Sequence, residues 1–241
     1  MRFEQSEFHN QLVRGLTHRM NNILSLCQGY IGMLIDDKNL DRDTRDGLIR
    51  IRESADAASS LMDRTKALAT PSSTVWRQVA PDDFFKSLMP AFQAYASRGV
   101  TFQVSCEPGM PDLYADTARL RVALKEIVKN ACEASPANGI VKITVKRHPH
   151  PFSPRGRQLG PALIDWTAIT VTDSGKGIPP SLSAKVFQPF FSTKRNDSAV
   201  GLGLSVALGL VQQLGGAIRL QSKPGRTAVK VLLPGRNDQS N

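Results

Sequence analysis

Cysteine is scarce. The 241-residue chain has three, Cys27, Cys106 and Cys132, far apart and outside any CxxC pair. That excludes a disulfide scaffold and a zinc knuckle, and it points to a reducing compartment. Long apolar runs are missing too: none approaches the roughly 20 residues that a bilayer span needs. The opening MRFEQSEFHNQLVR lacks the apolar stretch of a signal peptide. A cytoplasmic chain with no membrane segment is expected. Proline is absent before Pro71, and there is no GxxxxGK[ST], so no P-loop. Gly201 and Gly203 lack a third glycine, since position 206 is Val206, so the dinucleotide fingerprint fails as well.

What is present is an excess of positive charge, net +10. It is unevenly placed. Residues 1–70 carry 10 basic and 10 acidic side chains, and residues 71–241 carry 21 and 11. Nucleic acid and a nucleoside triphosphate are both anions that such a surface could meet. No helix-turn-helix and no basic stripe interleaved with aromatics supports nucleic acid. His148 and His150 form an HxH with no third ligand near it, and they read as loop residues.

The pattern changes along the chain. In residues 1–35, Phe8, Leu12, Leu16, Ile23, Cys27, Tyr30 and Leu34 recur at helical steps. A polar stretch, 36–47, precedes a second stripe of Leu48, Ile51, Ala55, Ala58, Leu61 or Met62, and Leu68. Two long amphipathic helices with a short connection predict an antiparallel hairpin. It cannot bury both stripes alone, so two copies are expected to pair into a four-helix bundle. The expected divisions are a helical hairpin over 1–70, a linker over 71–75, an α/β-sandwich domain over 76–235 and a polar tail over 236–241. Within the third, helices are expected over 81–99, 116–135 and 205–216. Strands are expected over 100–106, 139–148 and 167–173, with two more after Gly216, all in one mixed sheet with helices on one face.

Two glycine clusters carry the chemistry. DSGKGIP (173–179) follows a strand, and GLGLS (201–205) opens a helix. Glycines there let backbone N–H groups approach an anion at the positive end of a helix dipole. The order of motifs is more telling than either one. ExxxNAxxA (Glu126, Asn130, Ala131, Ala134) comes first, then DSGKGIP, VFQPFFSTK (186–194), GLGLS, and a terminal GxT at Gly225 and Thr227. This series resembles the ATP-binding domain of sensor histidine kinases, of the GHKL or Bergerat type, over about residues 76–234. LTHRMNNILS (16–25) resembles the same family's dimerisation and phosphotransfer helix.

The resemblance implies a two-component histidine kinase using ATP and Mg²⁺. His18 would be the phosphoacceptor, with Asn22 one turn on, where phosphatase-active members orient a water. His9 lacks the flanking motif and reads as surface. Asp173 would accept from the adenine amine, with Gly175 and Gly177 shaping the loop after it, and Thr227 of the terminal GxT would also contact the nucleotide. Asn130 would offer an oxygen to the metal, and Lys129 and Lys194 would reach phosphates. Gly201, Gly203 and Leu204 would cradle them by backbone N–H. Phe187, Phe190 and Phe191 read as core anchors of a lid over 192–200. The family commonly has an acidic residue after the histidine, whereas this chain has Arg19, which cannot act as a base and could stabilise phosphoryl charge. Glu126, four residues before Asn130, matches the carboxylate that activates water in the ATP-hydrolysing branches. Plain ATPase action is therefore an alternative, as is a degenerate phosphotransfer or scaffold protein. The expected partners are a response-regulator receiver domain and a second copy of the chain; about ten residues precede the hairpin motif, so the input arrives either through a separate sensor or through another part of a longer chain.

Overall fold

The computed structural model describes residues 2–37, 39–69, 74–148, 166–193 and 201–235, with the backbone alone at 2–12, 14, 60 and 66–69. Two compact units result, one of Met1–Ser72 with Ser192–Leu202, mainly helical, and an α/β one of Ser73–Phe191 with Gly203–Asn241.

The helical unit is a hairpin of α1 (Arg2–Ile35) and α2 (Arg42–Ala69). The turn between them is shorter than the polar stretch suggested. Asp41 starts α2 early: its carboxylate accepts from the Thr44 N–H at 2.9 Å and from the Thr44 hydroxyl at 2.6 Å. Arg45 then reaches back to the carbonyls of Ile35 at 2.7 Å and Asp37 at 2.8 Å, placing a cation at the C-terminus of α1. Further polar ties across the hairpin include Asn21 to Asp63 at 3.0 Å and Gln28 to Asp56 at 2.6 Å. Among the described residues, the sequence stripe of α1 is largely uncovered. Leu16, Ile23, Tyr30 and Leu34 are all more than half exposed, while Thr17 and Ile31, off that stripe, are buried. The side chains of Phe8, His9 and Leu12 lie outside the description.

The α/β unit contains β1 (Arg77–Val79), α3 (Pro81–Gln93), β2 (Thr101–Cys106), β3 (Leu113–Ala115), α4 (Thr117–Ala134), β4 (Ile140–His148) and β5 (Trp166–Asp173). After these come α5 (Gly203–Gln213), β6 (Ala217–Lys223) and β7 (Arg226–Pro234). The main sheet runs in the order β2-β4-β5-β7-β6, parallel at β2–β4 and antiparallel elsewhere. A second sheet, β1 with β3, corrects the expectation of a single one. Its strands are three residues each, too short for alternation to be read.

Local signals explain most element starts. Pro81 sits in the first turn of α3 with Asp82 and Asp83 at the positive dipole end. Phe84, Phe85, Leu88 and Phe92 form its buried face. On β4, Val141, Ile143 and Val145 are fully buried, and they alternate with Lys142, Thr144 and Lys146, as on a sheet covered on one face. The covering helices are α3, α4 and α5. Gly215, at φ +68, ends α5 in the left-handed conformation that glycine adopts freely.

Asp116 caps α4. Its carboxylate accepts from the N–H groups of Ala118 at 3.1 Å and Arg119 at 3.2 Å, and also from Val75 at 3.2 Å. Asp116→Ala is expected to destabilise this unit by about 1–2 kcal/mol, read as a lower urea midpoint at unchanged slope.

Candidate nucleotide site

The site is organised by the last two turns of α4. Glu126 and Asn130 stand one turn apart on its half-buried face. The first residue of α5, Gly203, comes so close that a Cβ there would lie 2.9 Å from both Asn130 Nδ2 and Glu126 Oε2. Only glycine leaves that gap open, and the gap adjoins the positive end of an 11-residue helix. Lys129, on the same helix, lies 4.0 Å from Glu133 in a loose, exposed ion pair.

One turn further along α4, about 6 Å by helical rise, a second cluster forms. Asp173 ends β5 and is 6% exposed. Its Oδ1 accepts the Gly175 N–H at 2.8 Å. Gly175 is pressed on the end of α4: a Cβ would lie 2.5 Å from the Ala134 carbonyl oxygen. Asp173 pairs directly across the sheet with Thr227 of β7, which is 5% exposed. Burial pushes the Asp173 carboxyl above the ordinary aspartate value, and the N–H groups of Gly175 and Thr227 partly oppose that rise. Gly177, at φ +83, packs on the backbone of Lys223 in the β6–β7 turn, where a Cβ would lie 2.4 Å from its carbonyl oxygen. The loop after β5 is thus wedged between the end of α4 and the β6–β7 hairpin.

The remaining expected residues fall as follows. Gly201 has φ +71 and Leu204 is half-buried at the start of α5. Lys194 and the rest of 194–200 lie outside the described residues, as does His150. Phe187 and Phe191 are half-buried, but Phe190 is 72% exposed at φ +65 and does not anchor a core. A left-handed φ at a bulky residue is uncommon, and here it turns the ring outward. On the helical unit, His18, Arg19 and Asn22 are exposed. Asn22 Nδ2 lies 3.4 Å from His18 Nδ1, so the two form an i, i+4 pair. Cys132, near Asn130 in sequence, is buried, and burial pushes its thiol up to about 11, leaving it inert as a nucleophile.

Sequence reasoning missed Ser222. Its hydroxyl accepts the Ile178 N–H at 2.7 Å and lies 2.9 Å from Thr227 Oγ1. The only hint was its place just before a Pro-Gly turn.

Part of the chain matches a known family. The description Histidine kinase-, DNA gyrase B-, and HSP90-like ATPase covers residues 115–237, just over half of the chain. The chain belongs to this ATPase family. Within it, the chain is similar to the sensory histidine kinase/phosphatase NtrB of Vibrio alginolyticus. The two are 27% identical over 234 residues, which is 95% of this chain and 63% of that protein. It is also similar to the sensor kinase CckA of Brucella abortus, 24% identical over 93% of this chain and 24% of that protein. The chain therefore spans less than two thirds of the length of these relatives. Full-length ShkA, solved in complex with AMPPNP, shares the fold at a TM-score of 0.71 and 22% identity, over 92% of this chain and 45% of ShkA. The resemblance to a sensor histidine kinase core, read from the order of the motifs, is thus shown. The ATPase domain is an α/β unit preceded by helices, as the family resemblance implied.

Proposed function

We propose that this chain is the phosphotransfer and ATP-binding core of a two-component histidine kinase. The observation that carries the reading is the pairing of two clusters along α4: Asn130 and Glu126 against Gly203, and Asp173 with Gly175 against Ala134. One cluster suits a triphosphate at a helix N-terminus. The other suits an amine-bearing base at a buried carboxylate. The AMPPNP bound by ShkA supports ATP as the nucleotide.

Among the described residues no group of three His, Cys, Asp or Glu could hold a metal by itself. Mg²⁺ is commonly held by one or two protein oxygens together with substrate phosphates, so the oxygens of Asn130 and Glu126 beside the Gly203 gap fit it. Bound there, it would neutralise charge on the triphosphate. Gly201, Gly203 and Leu204 offer backbone N–H groups to the phosphates, and Lys129 and Lys194 add cations. Gly177 keeps the loop after β5 in place.

In this reading a neutral His18 ring nitrogen attacks the γ-phosphorus in line. An N–P bond forms, the P–O bond to the β-phosphate breaks, and ADP leaves. Asn22 steadies the ring, and Arg19 lends charge to the phosphoryl group. The group then passes to an aspartate on a separate receiver domain. Names such as kinase/phosphatase among the relatives support a reverse role for Asn22, in which it orients water. The exposed stripe of Leu16, Ile23, Tyr30 and Leu34 is the face on which a second copy would close a four-helix bundle. The domain reading is kept: hairpin 1–70, linker 71–75, ATP-binding domain 76–235 and tail 236–241. The reading is of a cytoplasmic chain that takes its input from a sensor, on a partner or on the same polypeptide. Among the described residues no helix is long and apolar enough to cross a membrane.

Incubation with γ-labelled ATP and Mg²⁺ tests the reading. Wild-type chain should acquire an acid-labile label, and His18→Gln should lose it entirely. Label retained by His18→Gln sinks the phosphoacceptor assignment.

A second reading has one observation behind it: Glu126 is as close to the Gly203 gap as Asn130 is. A carboxylate there could activate water and make the chain a plain ATPase. Phosphate release that survives His18→Gln and stops with Glu126→Ala would favour it.

A further inference from the structure

Ser222 joins the loop after β5 to the β6–β7 hairpin. On β6, its hydroxyl accepts the Ile178 N–H at 2.7 Å. The same oxygen is 2.9 Å from Thr227 Oγ1 and 3.4 Å from the Arg226 carbonyl oxygen. Thr227 is the register partner of Ser222 on one side and of Asp173 on the other. Its own N–H supports the Asp173 carboxylate.

The proton count is restrictive. A serine hydroxyl has one proton to give. Between an acceptor at 2.9 Å and one at 3.4 Å, the shorter bond is the stronger. If the proton goes to Thr227, that hydroxyl becomes an acceptor towards Ser222 and keeps its own proton for another group. Asp173, next to it across the strands, can only accept while ionised. In that arrangement an acceptor stands beside a donor.

Adenine presents the complement of this pair. Its edge offers an amine donor next to a ring-nitrogen acceptor, whereas guanine offers a carbonyl and a ring N–H in those places. We propose that Ser222 is a positioning and specificity-determining residue of the nucleotide site. It clamps the 173–178 loop to the β6–β7 hairpin and orients the Thr227 hydroxyl as the donor paired with Asp173. This rests on the ATP-binding reading given above.

The test is calorimetric binding of Mg-ATP and Mg-GTP to the full chain. Ser222→Ala should weaken ATP about tenfold, leave GTP binding unchanged, and so lower the ATP-to-GTP preference by the same factor. Exchange of the Ile178 amide should quicken about tenfold. Ser222→Thr keeps the hydroxyl and should restore both readings. Should the alanine variant fold poorly, Ser222→Cys is nearly isosteric with a weaker acceptor, and it should show the same selective loss. Wild-type preference retained in Ser222→Ala overturns the proposal, as does an equal loss of both nucleotides. A wild-type chain that binds no ATP overturns the underlying reading as well, and that result appears before any variant is made.

Discussion

Asp173→Ala is expected to weaken Mg-ATP binding by about a hundredfold, the scale of a lost hydrogen bond to a charged group in a buried site. The carboxylate is 6% exposed and held from two sides by the N–H groups of Gly175 and Thr227. Calorimetry on both proteins is the measurement, and equal affinity would remove Asp173 from the site. The pH dependence carries a sign of its own. Burial raises the Asp173 pKa above its unfolded value of 3.8, so the folded chain holds that proton more tightly than the unfolded chain. Stability from this group is therefore present below pH 3.8 and is lost as pH rises through the folded pKa. Nucleotide affinity runs the opposite way, because only the ionised carboxylate is free of its own proton and accepts from the base. Wild-type affinity should fall on acidification at a higher pH than an ordinary aspartate would give. The residual affinity of Asp173→Ala should not follow that curve.

Two glycine replacements should separate folding from binding. At Gly175 a new methyl group would meet the backbone of Ala134 at 2.5 Å, and a helix end cannot step aside. Gly175→Ala is expected to cost about 1–3 kcal/mol and to abolish ATP binding. At Gly203 the methyl group would meet only the side-chain ends of Asn130 and Glu126, at 2.9 Å each. These can swing away, and alanine favours a helix over glycine by up to about 1 kcal/mol. Gly203→Ala should therefore be as stable as wild type or more so, yet fail to bind Mg-ATP because Asn130 and Glu126 are displaced. Urea melts beside calorimetry check both, and loss of stability in Gly203→Ala would contradict the geometry.

These contrasts show what was legible beforehand and what was not. The glycine clusters could be read because a backbone that must meet an anion or another backbone excludes side chains, and that need leaves a mark in the sequence. The starts of α3 and α4 were legible from Pro81 and Asp116 for the same kind of local reason. The face of α1 that meets α2 was not. Asn21 and Gln28 cross the hairpin through polar bonds that hydrophobic periodicity does not count, and the apolar stripe faces outward instead. Phe190 misled because aromatic residues usually mean core, and its backbone conformation cannot be read from its neighbours. Ser222 was invisible because its role depends on register: Thr227 meets it across one strand boundary and Asp173 across the next.

That register also governs the order in which the unit can be made. β7 lies between β5 and β6, although β6 is earlier in the chain. Until β7 inserts, β5 and β6 have no common neighbour, and Asp173 has no Thr227 beside it. A chain emerging from the ribosome can form α4 and the β4–β5 hairpin while its nucleotide site remains half built. The last long-range pairing to form is then the one that completes the site, and such pairings are slow because they close the longest loops. Competence to bind nucleotide should thus appear late in synthesis and in one step, giving a natural reporter for completion of the fold.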